Sequence, residues 1–244
     1  MLTMNKKNIL ITGSSKGIGL GIAKRLAGNH NVYITGRNES ILSDLCATYN
    51  FNGYAAIDLF EQNSCEKLYN TLNVNIDILI NNAGVYFYNP IEKMDIENIK
   101  KTIKLNTLTP YELIRLYIPY MKKQKWGRII NIGSISGVMG EANASIYSMT
   151  KASLIGLTKS LALETAQDNI TVNIINPGWV DTELINNENL ENDFSKEEII
   201  ETIPQRRFVT PEEIASTCEF LISEDARTIT GQSINICAGL SLGC

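Results

Sequence analysis

Two hydrophobic rhythms alternate along the chain. Apolar runs at 8–12, 31–35, 54–58, 76–80, 128–132, 171–175 and 233–237 are rich in Ile and Val and flanked by Gly, Asn or Asp. Runs this short and continuous predict strands buried on both faces. Between them, at 18–28, 39–49, 62–73, 95–123, 145–168 and 212–223, apolar residues recur at helical spacing. Strand then helix, repeated, requires crossovers that lay helices over a sheet. The pattern therefore predicts an α/β fold, with one Rossmann-like, doubly wound parallel sheet of about seven strands and helices on both faces.

The rhythm breaks once, over 182–210. That stretch is Asn-rich and acidic around Asn186, Asn187, Glu188 and Asn189, then offers a weak helical pattern from Ser195 to Thr202. A long excursion just before the last helix predicts a substrate lid. No linker, repeat or low-complexity segment divides the chain, so residues 1–244 are expected to form a single domain.

Composition narrows the choices. Hydrophobic residues fill 44% of the 244 positions, enough for a large core. The net charge is −4 and the Lys and Arg residues are scattered, which leaves no basic stripe for nucleic acid. The first apolar run is interrupted by Gly13 and is too short to span a membrane. A cytoplasmic protein with no membrane or nucleic-acid partner is expected. One His, His30, and five Cys without CxxC spacing argue against a metal site and against a His-based triad. The cysteines are expected to serve as small apolar residues, and His30 to be solvated without a chemical role.

Candidate chemistry begins at the first strand–helix junction. Thr12-Gly13-Ser14-Ser15-Lys16-Gly17-Ile18-Gly19 has GxxxGxG spacing. Glycine lets the backbone approach a phosphate closely, and the helix behind it presents free N–H groups. A dinucleotide pyrophosphate fits such a turn. The second strand ends Thr35-Gly36-Arg37, where NAD-binding units often place Asp or Glu on the ribose. Arg37 would instead clamp a 2′-phosphate, with Lys16 as a second cation, so NADP(H) is the expected cofactor.

Four further segments carry chemistry: Asn81-Asn82-Ala83-Gly84, Asn106, Ile132-Gly133-Ser134 and Tyr147-Ser148-Met149-Thr150-Lys151. Tyr147 and Lys151 stand four apart on a predicted helix and share a face. A neighbouring ammonium would lower the phenol pKa toward neutrality. With the Gly-rich turn and Asn176-Pro177-Gly178, this order of motifs resembles the short-chain dehydrogenase/reductase family over the whole chain. It is most similar to the 3-oxoacyl-carrier-protein reductase branch.

The resemblance implies an oxidoreductase that interconverts a ketone and a secondary alcohol by hydride transfer. It implies Tyr147 as proton donor, Ser134 on the substrate oxygen, Lys151 on the nicotinamide ribose and Asn106 positioning a relay water. It further implies cofactor contacts from Gly13, Ser15, Lys16, Gly17, Ile18, Gly19 and Arg37, and from Asp58 and Leu59 beside the adenine. Asn82, Ala83, Gly84, Pro177, Gly178, Val180 and Thr182 complete that set, and a homotetramer is implied.

The substrate is open at this point. Tyr86, Phe87 and Tyr88, residues 141–144 and Trp179 are expected to line its pocket. Arg128 matches one basic position that carrier-protein reductases use to meet an acidic partner. Asp168-Asn169 stands at the other, so a free ketone, sugar or polyketide-like substrate is an alternative to an acyl thioester. A non-catalytic NADP sensor is the alternative from another class; such proteins lose the Tyr or the Lys, and this chain keeps both.

Overall fold

The computed structural model describes residues 6–182 and 195–242. Strands β1 (Asn8–Ile11), β2 (Asn31–Gly36), β3 (Gly53–Ala56), β4 (Ile78–Asn81), β5 (Gly127–Ile132), β6 (Ile170–Pro177) and β7 (Ser233–Ile236) form a 7-stranded sheet, ordered β3-β2-β1-β4-β5-β6-β7. Every pairing is parallel. The helices, in chain order, are α1 (Gly17–Leu26), α2 (Glu39–Tyr49), α3 (Ser64–Leu72), α4 (Ile96–Ile103), α5 (Thr109–Gln124), the short α6 (Ser136–Met139), α7 (Ser145–Thr165), α8 (Lys196–Thr202) and α9 (Pro211–Ile222).

Successive residues of one strand feed opposite cores. Ile9 and Ile11 pack with Ile22, Leu26 and Ile214 from α1 and α9, whereas Leu10 between them packs with Leu68, Leu113 and Tyr117 from α3 and α5. Ile78, Ile80 and Ile130 join the first cluster; Leu79 and Ile129 join the second. Both phases of the pleat are buried, which is why the strand sequences run apolar without alternation. The strand order changes direction between β1 and β4, and a crevice opens there at the carboxyl ends, the usual place for a ligand on a doubly wound sheet.

The spacing that predicts one helix over 95–123 meets a correction. α4 and α5 are separated by one turn of π-helix, Lys104–Leu108, in which the Thr109 N–H donates to the Lys104 carbonyl five residues back. One extra residue turns the helical phase by only about 100°, too little to interrupt an apolar stripe. Elsewhere asparagine sets the helix ends: Asn50, Asn73 and Asn169 take left-handed φ values of 55°, 47° and 57° at C-caps, where glycine is the commoner choice.

The weak helical pattern at Ser195 becomes α8, its start fixed by reciprocal Ser195 and Glu198 hydrogen bonds. Residues 183–194 of the expected lid lie outside the described residues. The flanks of that stretch are clasped: the Asp181 N–H donates to the Val209 carbonyl, and the Val209 N–H donates to the Trp179 carbonyl, both at 2.9 Å. His30 is half-buried rather than solvated, because α1 ends against the sheet; its Nδ1 is enclosed and burial lowers its pKa, with Glu219 opposing. Cys65, Cys218 and Cys237 are buried thiols, as small apolar residues would be. Among the described residues no helix is long and apolar enough to cross a membrane.

Candidate active site

A cavity of about 580 Å³ lies over the carboxyl ends of the strands. Its wall includes Gly13, Ser15, Lys16, Gly17, Ile18, Arg37, Asp58, Leu59, Asn82, Ala83, Gly84, Ser134, Tyr147, Lys151, Pro177, Gly178, Val180 and Thr182. Of the residues singled out from the sequence, Gly19 and Asn106 stand behind this wall rather than on it.

The Gly-rich turn is lashed to both neighbouring strands. The buried Ser14 hydroxyl donates to the Ile11 carbonyl and accepts from the Thr35 N–H at 3.0 Å. Thr12 Oγ1 accepts the N–H groups of Asn82 and Ala83, each at 3.0 Å, and Asn82 Nδ2 donates to the carbonyls of Thr12 and Gly13. The spacing of the glycines follows from this closeness. A Cβ at Gly19 would stand 2.5 Å from Asn82 Nδ2 and 2.6 Å from the Gly13 carbonyl. Gly13 itself has φ +62° and would press a Cβ against the Ala83 backbone at 2.8 Å. Lys16 caps α1 without a side-chain hydrogen bond to the helix, so the N–H groups of the first turn face the cavity unclaimed by a capping side chain. This cradle fits a pyrophosphate.

The cavity crosses the sheet to a second cluster. Lys151 on α7 is 4% exposed and its Nζ donates to the Ile132 carbonyl at 2.8 Å. That Nζ stands 5.6 Å from the centroid of the Tyr147 ring, one helical turn earlier. The Ser134 hydroxyl, at the end of β5, donates to Ser136 Oγ at 3.0 Å and bonds the Tyr147 phenol. Asn106 sits in the π-turn, 1% exposed. Its Oδ1 accepts from the Val85 N–H, and its Nδ2 donates to the Val85 carbonyl and to Thr150 Oγ1. It thereby pins the loop after β4 to α7, a role that rests on the π-turn and so could not be read from helical spacing.

The electrostatics correct one expectation. Burial pushes the Tyr147 phenol up to about 12; the Ser134 hydrogen bond works against the rise and the charge of Glu141 adds to it. Lys151 does not pull it down, because the same burial brings the ammonium itself from its usual 10.5 to about 8 and directs it at a backbone carbonyl.

Three expectations about the pocket and its entrance also change. Of the three aromatics after Gly84, only Tyr86 reaches the wall; Tyr88 stacks behind it and its hydroxyl accepts from Asn143 Nδ2. Of residues 141–144, Glu141 alone faces the cavity, together with Trp179 as expected. Arg128 is 0% exposed at the amino end of β5, where it lies over the Trp126 ring and bonds the Asn169 carbonyl and Glu224, so its side chain is unavailable to an acidic partner. Sequence reasoning did not single out Ser136 or Leu240, which the fold brings to the cavity wall, nor the bonds by which Thr12 holds the loop after β4.

Comparison with known proteins agrees with this geometry. Residues 13–241 match a family model described as enoyl-(acyl carrier protein) reductase. The chain is 37% identical to a 3-oxoacyl-[acyl-carrier-protein] reductase of Buchnera aphidicola, covering 98% of this chain and 99% of the relative. It is 35% identical to a D-beta-hydroxybutyrate dehydrogenase of Cupriavidus necator, covering 97% and 98%. A crystal structure from Agrobacterium tumefaciens, provisionally assigned as a gluconate dehydrogenase, superposes with a TM-score of 0.88 at 25% identity, over 98% of this chain and 97% of that one. The glycine cradle, the Ser134, Tyr147 and Lys151 cluster and these full-length matches together place the chain in the short-chain dehydrogenase/reductase family of oxidoreductases acting on CH–OH groups.

Proposed function

We propose that the protein is an NADP(H)-dependent carbonyl reductase whose substrate is a 3-oxoacyl group, with Tyr147 donating the proton. The observation that carries this reading is the convergence of Ser134, Tyr147 and Lys151 at one end of a cavity whose other end is a phosphate cradle. When bound, the nicotinamide supplies the hydride. The Ser134 hydroxyl holds the ketone oxygen and stabilises the charge that grows on it. Tyr147 then delivers its proton to that oxygen; a phenol held near 12 is fully protonated at neutral pH, which suits reduction. Lys151 sits where it can hold the cofactor ribose. Asn106 is assigned the placing of a water that relays protons from solvent to Lys151.

The preference for NADP(H) rests on Gly36 and Arg37. A Cβ at Gly36 would stand 3.3 Å from the Ser15 hydroxyl, so a carboxylate there would crowd the Gly-rich turn, while Arg37 beside it lines the same cavity as Lys16. A guanidinium and an ammonium suit a 2′-phosphate. For assembly, exposed Leu108, Tyr111, Met149 and Leu163 on α5, α7 and the π-turn support a homotetramer, to be checked by sedimentation at micromolar concentration. The cytoplasm is the proposed compartment, and no nucleic acid or metal is assigned a role.

A second reading, a dehydrogenase of a free hydroxy acid or sugar, is favoured by the names of the Cupriavidus and Agrobacterium relatives. Loss of NADPH absorbance with a panel of 3-oxo esters, diketones and keto-sugars tests both. Reduction of none of them, with tight NADPH binding retained, would overturn the enzyme reading in favour of a cofactor sensor.

A further inference from the structure

The substrate end of the cavity is built around a carboxylate. Glu141, just after α6, accepts the Tyr86 hydroxyl at 2.7 Å on one oxygen and the Ser136 hydroxyl at 2.6 Å on the other. Ser136 accepts from Ser134 at 3.0 Å, and Tyr86 packs edge-on against Tyr147 with ring centroids 4.9 Å apart. Glu141 is therefore one side chain removed from each of the two groups assigned to the substrate oxygen. Its charge reaches the Tyr147 phenol, where it adds to the effect of burial.

Lys151 is the one cation at this end among the described residues that line the cavity, and no hydrogen bond or ion pair joins it to Glu141. Among the described residues that line the cavity, the charged ones are Lys16, Arg37, Asp58, Glu141 and Lys151. The first three stand on loops after β1, β2 and β3, on the other side of β4 from β5 and Glu141. Lys151 spends its ammonium on the Ile132 carbonyl. In a 3-oxo acid a single methylene separates the ketone from the carboxyl carbon. With the ketone oxygen on Ser134 and Tyr147, that carboxylate is held within a few bonds of groups that stand one side chain from Glu141.

We infer that Glu141 is a specificity residue: it admits 3-oxo substrates whose carboxyl is masked as an ester or thioester and repels the free 3-oxo acids. The inference rests on the proposed placing of the ketone against Ser134 and Tyr147. Like charges facing each other at pocket distances, at an effective dielectric near 20, change affinity by on the order of 100-fold.

Acetoacetate and ethyl acetoacetate test this, since they share the reacting ketone and differ in charge. Two readouts are taken: kcat/KM with NADPH, and the dissociation constant of each compound from enzyme saturated with NADP⁺, by calorimetry. Wild-type enzyme should favour the ester by about 100-fold in kcat/KM and by a smaller factor, still in the same direction, in the NADP⁺ complex, whose nicotinamide is cationic. Glu141→Gln should cut that ratio by at least about tenfold, mainly through tighter binding and a lower KM for acetoacetate. Glu141→Asp, which keeps the charge, should keep the preference for the ester. Equal use of the two compounds by wild type, binding of neither, or a Gln variant that weakens both in parallel with the ratio intact would each overturn the assignment. If wild type binds the compounds but reduces no ketone, the reductase reading falls, and the ratio of dissociation constants still decides the role of Glu141.

Discussion

The two ends of the cavity are made in different ways. At the adenosine end, shape comes from the main chain: Gly13, Gly17 and Gly19 bring the turn within contact of the loop after β4, and the bonds that hold it run mostly between backbone groups and Thr12, Ser14, Thr35 and Asn82. At the catalytic end, shape comes from buried side chains drawn from distant segments. Asn81 Nδ2 bonds Asn131 Oδ1, whose amide bonds Thr158; Asn106 ties Val85 to Thr150; Ser134, Ser136, Glu141 and Tyr86 form one chain. A backbone cradle suits the pyrophosphate that NADH and NADPH share, whereas an interlocked polar network suits the holding of one oxygen in one position. The first should fail by losing affinity, the second by losing turnover.

Substitutions can break this contrast, and the largest effect is expected at Tyr147. Tyr147→Phe keeps the ring that packs on Tyr86, so NADPH affinity should hold while kcat falls by about 10²–10⁴-fold, the range for a lost general acid. Burial also raises the Tyr86, Tyr117 and Tyr120 phenols, so the 295 nm titration of the cofactor-free protein is read as a difference: wild type minus Tyr147→Phe should leave one phenol ionising near 12. Equal turnover by the variant would remove Tyr147 from the chemistry. Ser134→Ala should lower kcat by about 10²–10³-fold. The double variant should lose less than the product of the two, because both hydroxyls act on one oxygen.

The adenosine end should respond in affinity alone. Arg37→Asp replaces a charge-assisted bond by a repulsion, and the ratio of NADPH to NADH dissociation constants should shift by about 10–100-fold toward NADH, with kcat at saturation nearly unchanged. Equal affinity of the wild type for the two cofactors would contradict the assignment of the 2′-phosphate site.

The smallest effect is one of stability. Lys151 titrates near 8 in the folded chain and at its usual 10.5 when unfolded, so between these values the unfolded state binds more protons. Its contribution is lost as pH falls through 8 and grows as pH rises above it, by at most about 3 kcal/mol up to pH 10. The raised Cys65 and Cys218 thiols act in the opposite sense above about 9, and the raised Tyr147 phenol above 10. Denaturant unfolding should show the stability of wild type relative to Lys151→Met rising between pH 8 and pH 10, a difference in which the thiols common to both proteins cancel.

The same contrast explains what could be read from the sequence. Ile9 to Ile11 and Ile78 to Ile80, apolar at every position, announced strands buried on both faces, and the glycine spacing announced the cradle, because both are local properties of the chain. Tyr147 and Lys151 were legible since helical geometry fixes their common face. What stayed hidden depends on partners far away in sequence. That Asn106 also holds Val85 and Thr150 from within a π-turn could not be read from helical spacing. Lys151 looked like the group that lowers Tyr147, yet burial, which no spacing reveals, dominates both. Arg128 looked like a surface cation and is enclosed by Trp126, Asn169 and Glu224.

The π-turn at Lys104–Leu108 carries one residue more than a regular helix needs. Removing any one residue there would let α4 and α5 fuse into a single helix with unbroken bonding. The same deletion would leave α4 and α5 in register, because the wide turn absorbs its extra residue locally, and would draw Asn106 back onto the regular helical path, away from Val85 and Thr150. The simplest shortening of the chain is thus also the one that dismantles the site. Sequence variation in this segment should accordingly tolerate changes of side chain more readily than any change of length.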